Sequence, residues 1–241
     1  MLISLYNTFL YQPLFNILIF FYNIVPLKDI GWAIILITIL IRVILYPLSR
    51  SSIQSQKKLQ TLKPKIDELK KKYKDDKEAF GRASMELYKT EKINPASSCL
   101  PLLIQFPILI AVYRVFRVGL AGTSFELLYP FISHPGTINS MFLGVIDLSQ
   151  PSTVLAVLAG IGQFIQSKMI SNLNKKKNDQ PAKENNMADA MTKQMLYIMP
   201  VFTVFIGLSL PSGLALYWLI SIVFTVLQQY LVFTKKDKAT T

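Results

Sequence analysis

Long apolar runs dominate the chain, and the polar positions inside them are few enough to name. The run GWAIILITILIRVILYPL at 31–48 is of membrane-crossing length, since about 20 residues at helical rise span the hydrocarbon. Arg42 stands inside it, short of the polar boundary at Ser49 and Arg50. A guanidinium at a helix centre costs about 2.5–3.5 kcal/mol on insertion scales. Two readings account for it: the side chain snorkels to the interface, or it faces a water-filled intramembrane cavity. Thr38, one turn away on the same helix face, favours a polar stripe and hence the cavity.

The same pattern recurs downstream. Cys99–Val118 is apolar with Gln105 between Pro101 and Pro107, which predicts a bent helix, and Arg114 and Arg117 lie near its far end. Ser152–Ile170 carries Gln163 and Gln166 on one face. Gln194–Leu208 is apolar and short for a span. Leu214–Phe233 carries Tyr217, Ser221, Thr225 and Gln228 down one face, with Trp218 beside it. Pro211-Ser212-Gly213 predicts a tight turn before that last helix.

Between these runs the pattern changes. Residues 1–27 hold no charge; Tyr6, Phe9, Leu10, Leu14, Ile17, Leu18 and Phe21 form an apolar stripe, with Asn7, Gln12, Asn16 and Asn23 mostly off it. Pro13 and Pro26 bracket a helix too short to span, which predicts an amphipathic helix lying in the interface. A basic n-region and a small-residue cleavage site, the marks of a signal peptide, are missing. After residue 48, Leu62, Ile66, Leu69 and Tyr73 form a heptad-type seam, and Phe80, Ala83 and Leu87 a second stripe beyond Lys74-Asp75-Asp76-Lys77. This predicts a helical hairpin whose first arm Pro64 kinks or starts. It serves either as a solvated spacer or as a docking arm for ribosome, substrate or lipid head groups.

The predicted fold class is an all-α integral membrane protein with five transmembrane helices, an N-terminal interfacial amphipathic helix and a cytoplasmic helical hairpin. In order these are an external interfacial helix (1–27), first span (28–48), cytoplasmic hairpin (49–97), second span (98–118), external loop (119–151), third span (152–170), cytoplasmic loop (171–193), fourth span (194–209), fifth span (212–233) and cytoplasmic tail (234–241).

Charge sets the orientation. The 241-residue chain carries a formal net charge of +12 with 26 Lys and Arg. By count 22 of these fall in Ser49–Lys92, Lys168–Lys193 and Lys235–Thr241. Those segments are therefore expected on one side, the cytoplasmic one, with the N-terminus outside. A single cysteine, Cys99, and a single histidine, His134 in a Ser-His-Pro-Gly turn, leave no intramolecular disulfide and no zinc site of Cys and His. No Walker motif, metal-ligand cluster or Ser-His pair points to an enzyme, and no cofactor is expected.

A polar face thus recurs on most of the spans: Thr38/Arg42, Gln105, Gln163/Gln166 and Ser221/Thr225/Gln228. Some of these are explained by interhelical hydrogen bonds alone, worth roughly 0.6–2 kcal/mol. Arg42 is not, because no Asp or Glu lies in any span to neutralise it. The pattern points to a hydrated groove, open to the cytoplasm and positive at its floor.

Three motifs, GWAIILITILIRVILYPL (31–48), NPASSCLPLLIQFPI (94–108) and LPSGLALYWLISIVFTVLQQY (210–230), with PLFNILIFFYNI (13–24) in support, resemble the YidC/Oxa/Alb family of membrane-protein insertases. The resemblance covers nearly the whole chain. It implies a five-helix core and a groove closed outward but open to cytoplasm and lipid. The family's intramembrane Arg falls on Arg42, and its Pro-x-Gly-Leu-x-Leu-Tyr-Trp element on Pro211, Gly213, Leu214, Leu216, Tyr217 and Trp218. Ile222 stands where an Asn is common. The resemblance also implies the short form, without the large periplasmic domain of Gram-negative members. Expected partners are nascent membrane proteins and membrane lipids, with the Sec translocon and the ribosome as further candidates; the short tail argues against tail-mediated ribosome binding. The implied groove residues are Arg42, Thr38, Gln105, Gln163, Gln166, Tyr217, Trp218, Ser221 and Thr225, in a protein of the bacterial plasma membrane. The alternative is an anion transporter or channel with Arg42 as its binding charge.

Overall fold

A computed structural model describes residues 2–74, 76–94, 100–121, 125–175 and 187–234. The described chain is almost entirely helical: α1 (Leu2–Tyr6), a π-helical turn (Asn7–Tyr11), α2 (Gln12–Ile24), α3 (Ile30–Ile44), α4 (Tyr46–Lys72), α5 (Lys77–Thr90), α6 (Leu100–Ala121), α7 (Thr153–Lys175), α8 (Met187–Ser209) and α9 (Ser212–Thr234). A two-residue hairpin, β1 (Met141–Phe142) with β2 (Ile146–Asp147), interrupts the loop before α7. Among the described residues α7 and α9 are each long and apolar enough to cross a membrane, and α3 with α4 counts as a third if that bent pair is one span.

The bend corrects the expectation of one helix over 31–48. The chain turns by 66° between α3 and α4. Pro47 lies in the first turn of α4 and has no N–H to offer the Val43 carbonyl, so the first helix ends. Leu45 closes it by donating to the Ile41 carbonyl at 3.0 Å. Arg42 thereby sits in the last turn of α3, where a cation meets the negative end of the helix dipole. The first arm of the charged segment begins at Tyr46 and runs through Pro64 without starting there. Asp76 caps α5, accepting from the amides of Glu78 and Ala79 at 3.1 and 2.9 Å. Leu69 and Tyr73 of α4 line a shared groove with Ala83 and Leu87 of α5, and Lys65 bonds Glu91 at 2.5 Å.

The N-terminal segment differs most from its expectation. The helix begins well before Pro13, and the π turn accommodates the proline: Gln12 donates to the Asn7 carbonyl, five residues back. One face of the element packs into the protein, while Leu5, Phe9, Phe20 and Ile24 stay exposed. Phe15, Leu18, Ile19 and Tyr22 are fully buried in the core with Ile34, Ile37, Val112 and Phe116. Its polar positions face protein as well. Asn16, also buried, donates to the carbonyls of Gln12 and Leu127 at 2.8 and 2.9 Å and accepts from the Tyr129 amide at 2.6 Å. Asn23 donates to the Ser133 carbonyl at 2.8 Å, and the Tyr22 hydroxyl accepts from the Asn139 amide at 2.9 Å.

Side chains of α2 thus pair several backbone groups of the largely exposed loop over 125–152. Its hairpin connects through three residues, 143–145: Leu143 (φ 53°) and Gly144 (φ 70°) have positive φ, and the Val145 amide donates to the Phe142 carbonyl at 3.0 Å. Leu143 is held in that uncommon conformation by donating its amide to Asp29 at 2.8 Å. The other oxygen of Asp29 caps α3 at Gly31. The loop also meets the start of α9, where the amides of Ser212 and Gly213 donate to the carbonyls of Gln150 and Leu148. His134 accepts from the Gly136 amide at 3.1 Å and packs on Phe125, an ordinary turn histidine.

Helices α7 and α8 approach closely because small residues face one another. A Cβ on Gly160 would run into Val204, and one on Gly207 would lie 2.9 Å from the Ala156 Cβ. Ala156 and Gly160 form the small-xxx-small spacing typical of helix contacts in lipid. Both helices extend beyond their expected ends: α7 reaches Lys175, and α8 begins at Met187 rather than 194, so the connection expected over 171–193 is shorter. Residues 95–99, including Cys99, and the tail 235–241 lie outside the described residues.

Candidate functional site

The bend that ends α3 places Arg42 where α6 and α9 pass. Its Nη2 donates to Gln105 Oε1 in a long contact of 3.4 Å, at the weak edge of hydrogen bonding. The Gln105 amide nitrogen in turn donates to the Tyr217 hydroxyl at 2.9 Å. Three helices thus share one polar chain, with a cation at one end and a buried phenol at the other. Among the described residues no carboxylate lies within ion-pair distance of Arg42, and most of its N–H donors have no protein acceptor. A guanidinium offers five donors. One long bond to a neutral amide leaves the charge open to whatever polar group enters beside it.

Local structure explains why these side chains meet. Tyr217 is fixed because Ser212–Tyr217, the first turns of α9, are buried against α3, α6 and the loop. A Cβ on Gly213 would only just touch Ile34, Phe116 and the Leu148 carbonyl, at 3.4–3.5 Å, so the start of α9 lies close against all three. Gln105 sits two residues before Pro107, inside a helix that continues through that proline.

The other expected groove residues divide. Thr38 shares a face with Arg42 but is completely buried, its hydroxyl donating to the Ile34 carbonyl at 2.6 Å. It is satisfied by its own helix and does not join the chain. Thr225 likewise donates to the Ser221 carbonyl at 2.9 Å. Ser221 lies one turn past Tyr217, and its buried hydroxyl has no hydrogen-bond partner among the described residues. Gln163 and Gln166 are half-buried on α7, which packs against α4 and α9; no hydrogen bond links them to Arg42 among the described residues. Trp218 is half-buried next to Tyr217. Ile222 is buried where its methyl lies 3.1 Å from the Cβ position of Gly162, an apolar contact between α9 and α7.

Two features escaped the sequence reading. Ser49, in the first turn of α4, donates to Gln228 Oε1 at 2.9 Å, tying the bend to α9, while Gln228 Nε2 and Gln229 Oε1 are buried without partners among the described residues. The even spacing of Tyr217, Ser221, Thr225 and Gln228 signalled the face, and only the 66° bend brings Ser49 onto it. Arg114 is the second. Its guanidinium donates to Asn7 Oδ1 at 3.1 Å and lies 4.8 Å from the Tyr11 ring centre and 5.7 Å from that of Tyr6.

Fold and site together define an all-α integral membrane protein with a loosely held cation among its membrane helices. The sequence profile of the family described as 60Kd inner membrane protein matches residues 20–239, and the chain belongs to that family, which places it among membrane proteins of the bacterial inner membrane. It is similar to proteins named Membrane protein insertase YidC. That of Geobacter sulfurreducens is 38% identical over 224 residues, 92% of this chain and 36% of the relative. That of Shewanella halifaxensis is 40% identical over 230 residues, 94% and 37%. That of Francisella philomiragia is 39% identical over 211 residues, 87% and 33%. The chain therefore spans about a third of the length of these curated relatives.

Proposed function

We propose that this chain inserts other proteins into the membrane and assists their folding, without covalent chemistry. The observation that carries the reading is Arg42, a cation held by one long bond to Gln105 with no carboxylate beside it among the described residues. The family and the insertases it resembles support it.

The physics is direct. A polar tail crossing hydrocarbon pays several kcal/mol for each unsatisfied group. A hydrated groove reaching partway into the membrane shortens the dry path. Arg42 and Gln105 form its polar wall, with Tyr217 and Ser221 buried behind them and Gln163, Gln166 and Trp218 bordering it. Arg42 draws acidic residues of the tail inward by charge. The apolar segment that follows moves sideways into lipid, driven by about 25 cal/mol for each Å² of apolar surface removed from water. A potential positive outside assists negative tails by about 2.3 kcal/mol per charge per 100 mV.

In this reading α3, α6, α7, α8 and α9 are the five spans, the loop over 125–152 is external, and α4 with α5 forms a cytoplasmic hairpin. The basic residues of that hairpin, of the segment after α7 and of the tail support the orientation. Substrates are nascent membrane proteins; the Sec translocon and the ribosome are further partners, to be sought by crosslinking from α5. Against an anion pathway stands the dense packing beyond Tyr217, where Phe116, Leu148 and Leu214 are all buried. The test is purified protein in liposomes with a single-span substrate. Insertion well above empty liposomes, without small-anion flux, is expected. Insertion no better than empty liposomes would sink the proposal.

A further inference from the structure

Helix α6 carries an apolar stripe that no other described element covers. Leu103, Phe106 and Ile110 are 63%, 54% and 52% exposed. With Arg114 and Arg117, also exposed, they follow spacings of three, four, four and three, which puts all five on one side of the helix. The apolar part covers about 10 Å of helix axis and the arginines continue the line for about another 10 Å, at 1.5 Å per residue. An apolar stripe topped by two cations is the complement of one lipid: acyl chains below, a phosphate above.

The upper end is preorganised. Arg114 is held by Asn7 and by the rings of Tyr6 and Tyr11. Those contacts come from the π-helical turn and the residue before it, a device that recurs at functional sites. They fix the guanidinium plane while engaging one of its donors. Arg117 has no hydrogen bond or ion pair among the described residues. Two cations one turn apart on a helix repel, and among the described residues neither has an acidic partner. An anion between them relieves both, and guanidinium forks match phosphate oxygens.

We propose that this face of α6 binds one anionic phospholipid, its phosphate diester on Arg114 and Arg117 and an acyl chain along Leu103, Phe106 and Ile110. A zwitterionic lipid is disfavoured because its amine would enter the same positive field. The site is separate from the Arg42 chain, since Gln105 occupies a different face of the same helix. It does not depend on which side of the membrane this end occupies.

The test uses the full-length chain, delipidated in neutral detergent. Native mass spectrometry measures retention of phosphatidylglycerol and of phosphatidylcholine, and melting temperature is followed as each lipid is added. Phosphatidylglycerol is expected to be retained about tenfold better, with a saturable rise in melting temperature of the kind preferential binding to the folded state produces. Arg117→Gln, which removes a side chain without protein partners among the described residues, should lose most of that preference while melting normally without lipid. Arg114→Gln/Arg117→Gln should abolish it, and Lys70→Gln/Lys71→Gln, with the same loss of charge on the α4–α5 arm, should keep it. Equal retention of the two lipids by the unaltered protein overturns the proposal. So does equal loss in the Lys70/Lys71 variant, which would show only diffuse attraction to basic surface, and so does retention by Arg114→Gln/Arg117→Gln.

Discussion

The Gln105 amide donates to the Tyr217 hydroxyl at 2.9 Å, and this bond is what couples α6 to α9 at the depth of Arg42. It also orients the amide. With its nitrogen committed to the phenol, Gln105 turns its carbonyl oxygen to the guanidinium. The one polar contact of Arg42 among the described residues is therefore set by a residue on α9, far away in sequence.

Tyr217→Phe should orphan the Gln105 nitrogen, for which a buried donor loses about 1–3 kcal/mol. Gln105→Leu removes both ends of the relay. A double-mutant cycle on melting free energy should show coupling between the two positions of about 0.5–3 kcal/mol. Simple additivity would mean that the bond contributes nothing to the packing of α6 on α9.

Asn16 fastens the loop over 125–152 through both ends of its amide. Asn16 uses both donor and acceptor on loop backbone, at Leu127 and Tyr129. Asn16→Leu leaves the Tyr129 amide unpaired, at about 1–3 kcal/mol, while the Leu127 carbonyl keeps only its 3.2 Å bond from Gln12. Asn16→Asp should fail as well, because a carboxylate cannot donate to the Leu127 carbonyl. Protease nicking within 125–140 should rise in both variants, and unchanged resistance would show that the loop is held elsewhere.

How much of this was legible in sequence follows from range. The last helix was readable because apolar run and turn residues are local signals: the turn at Pro211 and the helix from Ser212 fall where the pattern puts them. Arg42 and Gln105 stood out because polar groups are expensive in apolar runs. What failed depends on contacts distant in sequence. Asn7, Asn16 and Asn23 looked like a wet helix face, yet their partners lie more than a hundred residues downstream. Thr38 looked like part of a polar stripe, since spacing cannot tell a hydroxyl facing a cavity from one bonded to its own helix. Pro47 was read as lying inside a span because its apolar neighbours continue past it, although its missing N–H is a local signal for a break.

Phe142 fills the space above Gly31 that a Cβ would occupy, and its ring meets Trp32 edge-on at 6.3 Å. Gly31→Ala should displace the ring and destabilise by about 1–3 kcal/mol, the usual range for overpacking. Adding Phe142→Ala should recover part of that loss. A double variant no more stable than Gly31→Ala would place the strain elsewhere.

Asp147 gives the loop a pH signature. Hydrogen bonds from the Ser149 hydroxyl and amide hold its carboxyl below the usual carboxylate range. A depressed folded value means the stabilisation is complete above the unfolded pKa of about 3.9 and is lost as pH falls through the lower, folded value. The Ser149 amide resonance, followed in micelles, should titrate with a midpoint under that of a free aspartate, and Asp147→Asn should flatten the curve. A midpoint at or above the free value would contradict the assignment.

Arg42 supplies the sharpest separation of roles. If it acts as a charge in a hydrated groove, position and sign matter more than guanidinium shape. Arg42→Lys should then keep much of the insertion activity, while Arg42→Ala and Arg42→Glu should lose it for substrates with acidic translocated tails. The loss should shrink for uncharged tails, because only the Coulomb attraction has been removed. The long 3.4 Å bond to Gln105 agrees with this, since it contributes little that Lys could not replace. If Arg42 instead serves as a structural pin, Lys should fail too, the two side chains not being interchangeable at sites of fixed geometry. Melting temperature would then fall with activity, and both tails would suffer alike. The measurement is a reconstituted insertion assay on these variants and the unaltered protein with two substrate tails, melting followed in parallel. Equal loss for both tails with a lowered melting temperature would leave Arg42 as a fastening between α3 and α6.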